Sequence, residues 1–90
     1  MHKLIQEVRI RNPLGLHARP SSTIAQLLQG VKSSVTIHYK NLSANAKSVM
    51  ELLMLAAKQG ARVKITVEGE DASDVMERLV AAFERGFEGG

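Results

Sequence analysis

Residues 62–69, RVKITVEG, put Val63, Ile65 and Val67 on one side of an extended chain and Arg62, Lys64 and Thr66 on the other. SVTIHYK (34–40) repeats the pattern, with Val35, Ile37 and Tyr39 inward and Thr36, His38 and Lys40 outward. A period of two means that each strand buries a single face. Such strands belong in an antiparallel sheet with helices on one side, not in a parallel sheet covered on both. That constraint governs the rest of the chain.

Residues 3–10 alternate less strictly, with Leu4, Val8 and Ile10 on one face and Lys3, Glu7 and Arg9 on the other. A short strand over 42–44 returns beside 34–40 through KNLS. NPLG (12–15) matches a type I turn, with Asn12 first, Pro13 second and Gly15 fourth. Between the strands, Ile24, Leu27, Leu28 and Val31 recur at helical spacing from Ala18 to about Gln29, and Gly30 follows as a stop. Residues 48–57 (SVMELLMLAA) predict a second helix, with Ser48 at its cap and Gly60 beyond its end. A third helix is predicted over 70–85, capped by Asp71 or Ser73 and stopped by Gly86. The predicted order is βαββαβα, an α+β open-faced sandwich of four antiparallel strands with three helices on one face.

Ninety residues predict one domain over 1–90. The apolar content of 44% is that of an ordinary globular chain, and no run approaches the ~20 apolar residues of a membrane span. MHKLIQEVRI lacks the apolar core of a signal peptide, so the expected location is cytoplasmic, without membrane insertion; the expected state is a monomer. With no cysteine, disulfides and thiolate metal sites are excluded. Residues 1–64 carry ten Lys and Arg against two acids, whereas 65–90 carry two against seven. The basic part suits a phosphorylated ligand or an acidic protein. A nucleic-acid module is disfavoured, because Tyr39, Phe83 and Phe87 are the only aromatics and form no stacking motif.

LGLHARPSS (14–22) breaks two local rules. His17 stands where an N-cap belongs, although histidine caps poorly, and Arg19 puts a cation at the positive end of a helix. A phosphate explains both. The first helical turn offers unpaired N–H groups and a positive dipole end. A neutral imidazole there is a nucleophile, and a phosphoryl group on it would lie against those amides. Arg19 could fork onto the phosphate oxygens as lysine cannot. Pro20 is tolerated in a first turn, where its missing N–H has no helical partner. Taken alone, a histidine near a helix start is more often an ordinary surface residue. His2 and His38 read as surface positions, and three scattered histidines do not make a metal site.

GLHARPSS, NAKSVMELLML and GARVKITVEGED together resemble the histidine phosphocarrier family, HPr and its nitrogen-branch relative NPr. The resemblance covers the chain from Asn12 to about Phe87. It implies that His17 accepts a phosphoryl group on Nδ1 from Enzyme I, which draws it from phosphoenolpyruvate, and passes it to an EIIA-type domain. It implies that Arg19 stabilises the phosphate and that Ser48 matches a serine phosphorylated by a dedicated kinase in some members. KSVM resembles the sugar-transport branch, and LLML with FERGFEGG the nitrogen-regulatory one. No cofactor or metal is implied.

The helix at 48–57 is apolar around more than one face. A buried helix reads so, but one lying over a small sheet must leave some apolar residues exposed. Val49, Met50 and Leu53 are the expected docking surface beside the phosphate site, and the resemblance points to the same three. Two other classes stand beside the carrier. One is a small protein-binding module controlled at Ser48. The other is a histidine-dependent phosphohydrolase, which lacks a carboxylate within 12–22 to orient His17.

Overall fold

The computed structural model describes residues 2–88; Met1, Gly89 and Gly90, the last two part of the GFEGG tail, lie outside the described residues. The order is β1 (His2–Arg9), α1 (Ala18–Leu27), β2 (Ser34–Tyr39), β3 (Leu42–Asn45), α2 (Val49–Met54), β4 (Arg62–Gly69) and α3 (Ala72–Glu84), followed by a 3₁₀ turn, Gly86–Glu88. The strands form one antiparallel sheet in the order β1-β4-β2-β3, with the three helices on one face. This is the predicted βαββαβα sandwich.

The strict alternation of β4 explains its place at the centre of the sheet. Val63, Ile65 and Val67 are buried beside Val8 of β1 and Val35 and Ile37 of β2. Beneath them pack Ile24 and Leu28 from the α1 region, Leu52 of α2, and Val75, Leu79 and Phe83 of α3. β1 is less regular. Leu4 is only partly buried, Ile5 faces solvent, and Ile10, predicted inside the strand, lies just past it in the core. Tyr39, predicted inward, is half-buried, and His38 is half-buried with its ring Nε2 3.3 Å from Thr66 Oγ1.

Two of the helix ends that differ from the sequence expectation do so for non-local reasons. α2 stops at Met54 instead of continuing to 57, because Ala56 turns left-handed at φ 51°. The freed Ala57 carbonyl accepts the Leu16 N–H at 2.9 Å, tying the end of α2 to the loop before α1. Asp71 occupies the N-cap position of α3 but makes no side-chain bond to that helix. Its carboxylate instead accepts the N–H groups of Lys32 and Ser33, each at 3.0 Å, and the Ser33 hydroxyl. The loop between α1 and β2 is thereby held against α3. Gly69 permits this approach: a Cβ there would fall 2.6 Å from Ser33 Cα. α1 ends at Leu27, two residues before the predicted Gln29. No helix among the described residues is long and apolar enough to cross a membrane.

Candidate functional site

Residues 10–17 carry the chain from β1 to α1 along a path with little freedom. Gly15 N–H donates to the Asn12 carbonyl at 3.0 Å, closing the NPLG turn, and the buried Asn12 side chain donates through Nδ2 to the Gly15 carbonyl. The segment is also pinned from outside. Ile10 N–H donates to Ala61 O, Gly60 N–H to Ile10 O, and Gln59 Nε2 to Arg11 O. Asn12 and Gly15 take no part in the sequence reading of the site beyond their turn, yet they set the position of His17. The turn signature was visible; the burial of Asn12 had no local signal.

His17 is the N-cap of α1, with extended backbone (φ −85°, ψ −168°) and no side-chain cap bond. Its carbonyl accepts the first helical bond, from Ser21 N–H at 3.1 Å. Ala18 and Arg19 therefore carry first-turn amides of the orphan type, while Pro20 has none to offer. The ring is half-buried and its two nitrogens differ. Nε2 is enclosed and without a hydrogen-bond partner. Nδ1 is not enclosed and is the nitrogen that a group arriving from solvent would meet. Arg19 is exposed two residues on, and Pro20 and Ser21 are buried beneath, fixing the turn that carries both side chains. This arrangement can present a nucleophilic nitrogen and receive an anion beside amides, a dipole end and a guanidinium.

Ser48 caps α2: its Oγ accepts the Glu51 N–H at 3.2 Å. Glu51 Oε1 in turn accepts the Asn45 N–H at 2.9 Å, and Lys47 Nζ donates to the Val31 carbonyl at 2.9 Å. Of the three proposed docking residues, Met50 is 70% exposed, Leu53 sits at 36%, and Val49 is half-buried. Met54 was missed and is 73% exposed; it is the last residue of a helix expected to run further. Val49 lines a cleft between α1 and α2 with Ser22, Gln26 and Lys47. The exposed Leu14, at the third position of the turn, lies three residues before His17. His2 and His38 stand on β1 and β2, away from this loop. Among the described residues no group of three or more His, Cys, Asp and Glu could hold a metal.

A sequence model of the family described as "PTS HPr component phosphorylation site" matches residues 4–85. The chain belongs to the HPr family. HPr proteins are phosphocarriers of the phosphotransferase system, working with partner proteins, and are not themselves catalysts. The chain is 41% identical over 78 residues to Phosphocarrier protein HPr of Chlamydia muridarum, covering 87% of this chain and 75% of that one. It is 36% identical over 84 residues to Phosphocarrier protein NPr of Proteus mirabilis, covering 92% and 93%. Among solved structures, HPr of Thermoanaerobacter tengcongensis superimposes with a TM-score of 0.88 at 33% identity, covering 98% and 97%. HPr-named and NPr-named proteins thus both stand among the relatives, as the mixed sequence features suggest.

Proposed function

We propose that His17 is the phosphoacceptor and that the phosphoryl group rests on its Nδ1. The observation that carries this reading is the asymmetry of the ring at the α1 N-cap: Nε2 is enclosed and Nδ1 is not. Neutral imidazole attacks through Nδ1 only if its proton sits on Nε2. The Nδ1 lone pair then forms the N–P bond as the bond from phosphorus to the donor breaks, and the proton stays on the enclosed nitrogen. Arg19 and the first-turn amides offset the charge brought by the phosphoryl oxygens. Nothing in 12–22 supplies a carboxylate to activate a water, which favours a carrier over a hydrolase.

In this reading the donor is Enzyme I, loaded from phosphoenolpyruvate, and the acceptor an EIIA-type domain of sugar transport or its nitrogen-regulatory branch, all in the cytoplasm. The 90 residues act as one carrier domain, and the transfer cycle needs a single copy. Met50 and Leu53, with Val49 at their edge, are the docking surface for these partners, and Ser48 is a site of regulatory phosphorylation by an HPr serine kinase. The exposed apolar side chains beside the His17 loop support the first assignment; the position of Ser48 at the head of that patch supports the second.

The test is to incubate the protein and His17→Ala with labelled phosphoenolpyruvate and Enzyme I. Acid-labile label is expected on the parent and none on the variant, with both folded. Label retained on His2 or His38 in the variant would count against the assignment.

A further inference from the structure

Among the described residues two buried side-chain polar atoms have no hydrogen-bond partner, Asn12 Oδ1 and His17 Nε2. A buried polar group left unpaired is uncommon and calls for a reason. Both stand on the same short loop. One is an obligate acceptor, and the other is a ring nitrogen that can donate.

The loop draws the two residues together. The Gly15 carbonyl accepts two bonds at once, from Asn12 Nδ2 and from the His17 N–H at 2.9 Å. The Asn12 amide and the His17 backbone therefore meet at one oxygen. The same bond fixes which way the amide lies, because turning it over would set Oδ1 against the Gly15 oxygen. Oδ1 is thus an acceptor on a residue only 2% exposed, and it accepts nothing. Neighbouring backbone acceptors are engaged. The Arg11 carbonyl takes Gln59 Nε2, that of Asn12 takes the Gly15 N–H, and that of Leu16 takes the Ser21 hydroxyl at 3.5 Å.

We infer that Asn12 is a positioning residue for His17: its Oδ1 accepts the Nε2–H and so keeps the reactive lone pair on Nδ1. The alternative tautomer, with its proton on Nδ1, leaves both buried atoms as unpaired acceptors. The Nε2–H form satisfies the two together. Hydrogen bonds that orient a reacting side chain are often long or poorly aligned in the resting protein and tighten as it reacts. The role deepens the reading of His17 as phosphoacceptor and rests on it for its use, but the tautomer is a property of the resting chain.

The experiment is nitrogen NMR of the ¹⁵N-labelled, unphosphorylated full chain with the His17 ring neutral, where the shifts of the two ring nitrogens give the tautomer ratio. The parent should carry its proton on Nε2, with an NOE from that proton to the Asn12 amide protons. Asn12→Ala removes the acceptor and should move the ratio toward Nδ1–H by about tenfold, the worth of one buried hydrogen bond. Asn12→Asp keeps an acceptor oxygen but loses the Nδ2 bond to Gly15, and should retain the parent ratio. Loop anchoring alone would move both variants alike. A parent protonated on Nδ1, an Asn12→Ala ratio equal to the parent's, or equal shifts in the two variants would overturn the inference. Should Asn12→Ala fail to fold, the parent decides: no NOE between the His17 Nε2 proton and the Asn12 amide overturns it as well. No phosphoryl transfer enters this measurement. Label found away from His17 with the tautomers as expected would sink the carrier reading alone, and the reverse would sink the role of Asn12 alone.

Discussion

Gly15 and Ala57 are packed backbone to backbone. A Cβ on Gly15, at φ +69°, would fall on the Ala57 carbonyl oxygen and 2.8 Å from Lys58 Cα. The next residue, Leu16, donates its N–H to that same carbonyl at 2.9 Å. The loop that ends in His17 and the end of α2 are thus one unit. Gly15→Ala should therefore cost about 2–4 kcal/mol, the left-handed backbone and the overlap each contributing. Urea unfolding measures this, and a loss below about 1 kcal/mol would show that the loop moves aside easily.

That contact explains what was hidden in the sequence. The helical pattern of 48–57 is real, yet the helix ends at Met54 because Ala57 serves Leu16, forty-one residues earlier in the chain. Asp71 reads as a cap by type and position, but its carboxylate is claimed by Lys32 and Ser33, which no local pattern connects to it. Legible were the features carried by period and punctuation: the inward triad of β4, the NPLG turn, and the histidine at a helix start. The enclosure of Nε2 depends on the packed surroundings and has no signature in LHARP.

The Asp71 carboxyl lies below its ordinary pKa of 3.8, chiefly through the Ser33 hydroxyl and then the Lys32 N–H. A carboxyl lowered in the folded state adds stability above its unfolded pKa, and that stability is lost as pH falls through the folded value. Acidification from neutral pH to below 3.8 should lower the urea midpoint of the parent more than that of Asp71→Asn. Parallel curves for the two proteins would contradict the role given to this loop staple.

Arg19→Lys keeps the charge and loses the fork. Phosphoryl transfer should slow by roughly tenfold, about 1.4 kcal/mol of barrier, with the fold unchanged. Stopped transfer assays in both directions read this directly. Rates equal to the parent would leave Arg19 as surface decoration of α1.

Ser48→Ala removes the cap bond to Glu51 and should cost about 1 kcal/mol. Ser48→Asp keeps a capping oxygen but sets a negative charge beside Met50 and the basic part of the chain. It should stay folded and bind Enzyme I more weakly at low salt, with the difference shrinking as salt screens it. Equal affinities at both salts would reduce Ser48 to a cap.

In the proposed reading the phosphoryl group is expected on one nitrogen of one histidine. Nitrogen NMR of the ¹⁵N-labelled protein, phosphorylated by Enzyme I and phosphoenolpyruvate, reads it without mutation. Coupling to phosphorus is predicted at Nδ1 of His17, with the proton on Nε2. Phosphorus on His17 Nε2, or on His2 or His38, would contradict the account.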